Sequence, residues 1–263
     1  EVGSFVASGV DIADADFLSG TYTFRRDGRS GVVANHGTIR ARDGGSVALI
    51  GAGVDNDGVI EARLGRVAFG AGDLVTLDFA GDGFLSVGLP VSELSDLVDA
   101  NGHALSSLID AGGAVHAEGG RIYLSAEAAS SLMMRAINVP GDLIASSVSH
   151  DAQGNIVLEA GAGGATVTGN LSAGHIDVHG GNVALGGSLN ADGVNGGAVN
   201  VASDHDLLLA GHTSARGSNG AGGAVNYSAG GQLIETSASV TDASGAQAGG
   251  AISVTDNDIL SSG

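Results

Sequence analysis

Apolar and polar residues alternate along most of this chain in runs of about five, each bounded by Gly, Asn, Asp or Ser. "GTIRA" (37–41), "GSVALI" (45–50), "GRVAFG" (65–70), "LVTLDF" (74–79), "GRIYLS" (120–125), "GNIVLEA" (154–160), "HIDVH" (175–179) and "GAISVT" (250–255) are examples. A period of two puts successive side chains on opposite faces, so each run is predicted as a short, half-buried strand. Two stretches depart from this period. Residues 90–108 carry Leu94, Leu97, Val98 and Leu105 at near-helical spacing, with Ser92 placed as an N-cap. Residues 125–139 combine good helix formers with a stripe of Leu132, Met133 and Ile137, and Pro140 ends it. Both are read as excursions that pack on the flank of a strand-built body.

The strands repeat. "NHGTI" at 35–39 returns as "NDGVI" at 56–60. A glycine pair followed by alternation occurs at 196–201, 222–227 and 249–254, so that Gly197, Gly223 and Gly250 follow one another at a nearly constant interval. Spacing of this kind predicts an all-β solenoid, a parallel β-helix in which each repeat is one coil. An antiparallel sandwich also uses short strands but does not require near-constant spacing. At about 24 residues per coil, the chain is expected to form about eleven coils and a rod on the order of 50 Å long. Val199, Val225 and Ile252 are then predicted to stack in one inward column, and Val201, Tyr227 and Val254 in another. Asn200, Asn226 and Ser253 form the outward ladder between them. The glycine pairs are placed at corners, where positive φ is expected.

Composition fits a narrow interior. Of 263 residues, 47 are Gly, 2 are Pro, and aromatics are 3%. Glycine lacks the every-third-residue spacing of collagen. The net charge is −19; all ten basic residues are Arg, and only Arg216 lies beyond residue 135. Nucleic acid and anionic membranes are therefore excluded as partners, since both need a basic surface. Cysteine is absent, which excludes a disulfide scaffold and a thiol nucleophile. No apolar run reaches membrane-spanning length, and no membrane insertion is expected. Glu1 falls in mid-pattern, so the chain is expected to be a segment of a longer protein.

Three stretches look like filamentous-haemagglutinin-type exoproteins of the two-partner secretion pathway: 2–24, 31–87 and 119–146. Within them an "N-x-G-x-I-x-A" strand (35–41), a "GG-x-V-x-L" strand (44–49) and a "G-x-I-E-A-x-x-G" strand (58–65) follow one another. The resemblance covers 1–145, with the excursions inside it; 146–263 is read as Gly-rich repeats continuous with it. It implies a right-handed helix, export through an outer-membrane transporter, and a secreted or bacterial cell-surface location. Family members carry two "N-P-N" motifs upstream, and this chain contains none. The function expected is that of an adhesin or structural rod contacting a cell-surface glycan or protein, with end-to-end self-association through strand edges. A passive spacer or filament subunit is the bland alternative.

Parallel β-helices also host polysaccharide lyases and hydrolases. Asp55, Asp57 and Glu61 near Arg63 and Arg66 are the candidates for such chemistry. Turn chemistry alone accounts for "VDNDGV", and no "G-x-S-x-G" or phosphate loop occurs. No catalytic residues and no cofactor are assigned. A divalent cation is the exception considered. His175, Asp177 and His179 share one strand face, and His205 lies one repeat beyond His179. Ligands two apart on a strand are about 7 Å apart, which is wide for one ion.

Overall fold

The computed structural model describes residues 2–27, 31–78, 85–89, 97–98, 103–127, 135–146, 154–256 and 258–261. Three parallel sheets run the length of the stack and meet as the sides of a triangular coil. The first has nine strands, from Phe5–Ser8 through Ser46–Gly51, Arg66–Ala71, Arg121–Ala126, Asn155–Glu159, His175–Gly180, Ala198–Ser203 and Ala224–Ala229 to Ala251–Thr255. The second also has nine, from Val32–Asn35 to Asp258–Ser261, and the third has eight, from Thr38–Arg40 to Val240–Asp242. The protein is a right-handed parallel β-helix.

Register follows the alternation read from the sequence. Val199 pairs with Val225 and Val225 with Ile252; Asn200, Asn226 and Ser253 lie beside them in the same order, as do Val201, Tyr227 and Val254. Val199 and Val225 are fully buried, and Val201 and Tyr227 nearly so. In the last of these strands Ile252 and Val254 keep the inward register but stay 51% and 44% exposed. The same column runs back through Ile176, Ile156, Ile122, Val67 and Val47, all at 0% exposure. Each buried side chain of this size contributes about 1.5–3 kcal/mol. Two aromatics, Phe69 and Tyr227, share the aliphatic interior.

The sheet has nine strands rather than the expected eleven. At about 4.8 Å per coil the stack is about 40 Å long. The average repeat misleads because four intervals between coil strands are long: Ser8 to Val32, Ala71 to Ile109, Ala126 to Ile137 and Ile144 to Asn155. The first three fall at the same corner, between first- and second-sheet strands. Two of them build a feature that local alternation does not distinguish from a coil. Asp11–Ile12, Tyr22–Arg25, Leu74–Leu77 and Leu85–Leu89 form a four-stranded antiparallel sheet. Its Val10, Phe24, Val75 and Leu77 pack on the outward-facing Ala48, Ile50 and Ala68 of the first sheet. This explains why "SVALIG" and "RVAFGA" are nearly continuous apolar runs: both of their faces are buried.

Among the described residues, neither predicted helical excursion is helical. Ser125 and Ala126 close a first-sheet strand, and Ile137 opens a second-sheet strand with its side chain fully buried. Both ends of 125–139 are therefore β, in keeping with the alternation of "INV"; Leu132 and Met133 lie outside the described residues. Of 90–108, Leu97 and Leu108 are buried and Val98 bridges Ala104 in antiparallel fashion; Ser92 and Leu94 lie outside the described residues. Among the described residues the one α-helix is Asp14–Ser19, ended by Gly20 at φ 78°.

The glycine pairs have a different cause from the one expected. Among the described residues, left-handed glycines are Gly20, Gly31, Gly44, Gly119 and Gly161, none of them in the repeated pairs. The paired glycines are required by the approach of coil to coil. A Cβ on Gly223 would lie 2.0 Å from the carbonyl oxygen of Gly197, and one on Gly250 would lie 2.0 Å from that of Gly223. Those same carbonyls accept the N–H of Ala224 (3.0 Å) and Ala251 (2.9 Å). A longer column precedes the third sheet: Gly58, Gly113, Gly141, Gly169, Gly187 and Gly211 would each place a Cβ within 2.2 Å of the preceding glycine's oxygen.

One corner departs from its neighbours. Leu64 has φ 55°, at the turn position that Gly44 (φ 76°) and Gly119 (φ 72°) occupy in the coils on either side. A left-handed conformation costs a residue with a Cβ about 1–2 kcal/mol.

Both features bear on stability. Gly223→Ala is expected to cost on the order of 3 kcal/mol in urea unfolding, because a backbone carbonyl cannot yield as a side chain can. Gly249→Ala, where nothing lies within 4 Å of the added Cβ, should stay within about 0.5 kcal/mol; equal losses would refute the stacking account. Leu64→Gly is expected to stabilise the protein by about 1 kcal/mol, and a lowered melting midpoint would show that the left-handed turn is not strained.

Candidate functional site

The outer face of the first sheet changes character along the stack. Over the early coils the antiparallel sheet covers it; from His175–Gly180 onward its outward side chains are polar or small. Ile176 and Val178 point inward, which sets His175, Asp177 and His179 outward, as the alternation predicts. Asn200 donates from Nδ2 to Asp177 Oδ1 at 2.7 Å, and Asn226 donates from Nδ2 to Asn200 Oδ1 at 2.8 Å. The ladder Asp177–Asn200–Asn226 thus has one carboxylate or amide per coil, continuing in register to Ser253. Beside it lies a shallow trough with a volume of about 630 Å³. It is lined by the glycine pairs and by Ala198, Ala224 and Ala251, so backbone is accessible along four coils.

The four residues considered for a cation do not form a ligand cage. His175 Nε2 is 3.8 Å from Asp177 Oδ2. His179 contacts Glu159 Oε1 of the preceding coil through Nδ1 (2.6 Å) and Asp204 Oδ1 beyond the following strand through Nε2 (3.2 Å). His205 occupies the turn after Ala198–Ser203, where its backbone N–H donates to the Gly181 carbonyl at 2.8 Å. Among the described residues, the set of three donor atoms lying within 4.8 Å of one another belongs to His36, Asp55 and Asp57. Sequence reasoning does not single out His36. The signal that could have found it is the repeat itself, since "NHG" and "NDG" take the same position in successive coils.

The residues considered for sugar chemistry are distributed around one coil. Asp55 is in a second-sheet strand, Glu61 in a third-sheet strand and Arg66 in a first-sheet strand. Asp57 and Arg63 lie in the turns between them. Glu61 and Arg63 do line one groove, of about 490 Å³, with Arg40, Asp43, His116 and Glu118. Its charges are paired in place. Arg40 Nε donates to Glu61 Oε2 at 2.7 Å, and Arg63 Nη1 donates to Asp43 Oδ2 at 3.1 Å. The hydrogen bond from Arg40 holds the Glu61 carboxyl below its ordinary pKa. That makes Glu61 a poorer proton donor, and Arg63 is paired with a neighbouring carboxylate.

A second charged corner gathers Arg216, the one Arg beyond residue 135. Arg216 donates to Asp192 Oδ2 through Nε (3.1 Å) and Nη2 (2.9 Å), and its Nε is 3.9 Å from Asp242 Oδ2. Asp192, Arg216 and Asp242 belong to three consecutive coils. Burial alone raises the Asp192 pKa, but hydrogen bonds from Ser214 and Arg216 outweigh it and leave the carboxyl below its ordinary value.

The class defined by these features is a right-handed parallel β-helix with an extra-helical antiparallel sheet near its N-terminal end and an open polar face further along. Among solved structures, the chain is similar to the crystal structure of the HMW1 secretion domain from Haemophilus influenzae. The TM-score is 0.71 at 22% identity, over 99% of this chain and 74% of that one. Neither a protein-family model nor a curated protein sequence matches the chain.

His179 makes the outer face pH-dependent. Burial lowers its pKa, but the hydrogen bonds to Glu159 and Asp204 outweigh burial, and the net position is above the ordinary imidazole value. A group whose pKa rises on folding adds stability below its unfolded pKa, about 6.5 for His, and loses that contribution as pH climbs through the folded value. His179→Gln should therefore lower the urea midpoint relative to the parent at about pH 5.5, and the gap should close by about pH 8.5. An equal gap at both pH values would mean the imidazole acts by packing alone.

Proposed function

We propose that this chain is the rod-forming part of a secreted or cell-surface exoprotein of the filamentous-haemagglutinin type, exported by a two-partner route, and that it mediates attachment. The observation that carries the reading is likeness over 99% of the chain to a structure described as a secretion domain. Two sequence features support it. The strand motifs at 35–41, 44–49 and 58–65 resemble that family, and the chain has no cysteine that could form a disulfide and block threading through a transporter. The partner during export is then an outer-membrane transporter. Attachment would use the open first-sheet face, where amides repeat at the coil spacing beside a trough of exposed backbone. Such a face offers many weak, similar hydrogen bonds to a neutral polar partner, a glycan or a polypeptide, and gains strength from multivalency.

The test is saturable binding of the labelled chain to producing bacteria, to animal and plant cells and to a glycan panel, with sugar release assayed in the same wells. Asn200→Ala with Asn226→Ala removes two ladder amides at about 1 kcal/mol each and should weaken binding tenfold or more. Binding unaffected by that pair would move the contact to another face. Release of sugars would replace attachment with catalysis, and absence of binding would leave a spacer.

A further inference from the structure

We propose that His36, Asp55 and Asp57 bind a divalent cation of the Zn²⁺, Mn²⁺, Co²⁺ or Ni²⁺ type across the seam between two consecutive coils. One donor atom from each lies within 4.8 Å of the other two. His36 Nδ1 and Asp57 Oδ2 are 3.7 Å apart. Ligands bonded at about 2.0–2.2 Å to one ion are about 3–4.5 Å apart, so closure needs only side-chain adjustment.

The fold explains why this set converges when the histidines at 175 and 179 do not. His36 and Asp57 are not neighbours along one strand. They follow Asn35 and Asn56, which are direct register partners in adjacent coils. Residues stacked in this way are separated by the strand spacing of about 4.8 Å, rather than by the roughly 7 Å between alternate residues of a strand. The backbone beneath them is fixed. Asn35 donates from Nδ2 to Asn56 Oδ1 at 2.7 Å inside the corner, and Asn56 is fully buried. Gly37 and Gly58, next along the chain, are stacked so closely that a Cβ on Gly58 would lie 2.2 Å from the Gly37 oxygen. Both donor turns are therefore held on either side.

Asp55 is the direct register partner of Asp110 in the next coil, and like charges directly opposite one another in a sheet repel. Asp110 turns one oxygen to Asn138 Nδ2 (3.1 Å) and to Ser107 Oγ (3.4 Å); one oxygen each of Asp55 and Asp57 lies within 4.8 Å of a His36 ring nitrogen. One imidazole with two carboxylates suits borderline transition metals, whereas Ca²⁺ and Mg²⁺ favour all-oxygen sets. Three protein ligands would leave positions for water, so the ion would join two coils and remain open to solvent.

Thermal unfolding of the full chain with ZnCl₂ or MnCl₂ tests this, with MgCl₂ at matched ionic strength as the control. At about a hundredfold excess over the dissociation constant, the midpoint should rise on the order of 5 °C. His36→Ala should abolish the rise, Asp57→Asn should weaken binding tenfold or more by calorimetry, and His179→Ala should leave both unchanged. An equal rise with Mg²⁺ would mean screening of the net negative charge, and would overturn the site. So would a rise that survives His36→Ala, one that is lost in His179→Ala, or no rise at all.

Discussion

Everything in this structure depends on how closely one coil lies on the next. The ladder bond from Ala224 N–H to the Gly197 carbonyl brings that oxygen to where a side chain on Gly223 would begin. The same relation recurs at the corner before the third sheet, from Gly58 to Gly211. With a side chain at these points, neighbouring coils would have to tilt or separate, and the parallel bonds of two sheets would lengthen together. The glycines are thus selected for the space they leave empty. The conformational freedom of glycine matters at other positions, such as Gly44 and Gly119. Leu64, standing between those two, shows that the stack can hold a residue in a conformation its own chemistry disfavours.

Stacking in register has an electrostatic consequence. Each coil sets its side chains directly over those of the last, so an acidic protein of net charge −19 tends to pile carboxylate on carboxylate. Two of the scarce basic groups each serve two coils. Arg216 reaches Asp192 on one side and Asp242 on the other, and His179 does the same with Glu159 and Asp204. Asn200 and Asn226 extend the pattern without charge, each amide donating backward and Asn200 also accepting from the coil ahead. Exposed pairs of this kind are worth about 0–1 kcal/mol. A buried Val or Ile in the inward column contributes about 1.5–3 kcal/mol. Cohesion therefore comes from the interior, and the outer ladders set which faces are polar.

The parts legible in the sequence were those governed by period and spacing. Alternation placed Val199, Val225 and Ile252 in one column and Asn200, Asn226 and Ser253 in the next, and pairing follows that order. The antiparallel sheet was not legible, because Leu74–Leu77 alternates like any coil strand and its partner Tyr22–Arg25 belongs to a much earlier part of the chain. The near-continuous apolar runs 46–51 and 66–71 were the available sign that something covers both faces there. The residues read as a candidate cation set do not converge for a related reason. His175, Asp177 and His179 looked like a group because sequence displays neighbours along one strand, whereas the contacts in a solenoid are between coils. His36 and Asp57 are one repeat apart and stacked, which only the repeat register reveals.

The same register divides the outer surface into parts with different prospects. Over Ser46–Gly51 and Arg66–Ala71 the first sheet is covered by its antiparallel companion, and its outward Ala48, Ile50 and Ala68 are wholly buried. No partner can reach that face without displacing the cover. Nine of the ten Arg also lie before residue 136, where Arg40 and Arg63 are paired with Glu61 and Asp43. From His175 onward the face is open, its glycine and alanine positions leave backbone accessible, and its only Arg is committed to two aspartates. A surface rich in carboxylates, with its one Arg already paired, disfavours anions. Its amides and accessible backbone repeat along one line, and the spacing of that line is set by the same coil-to-coil contact that the glycines permit.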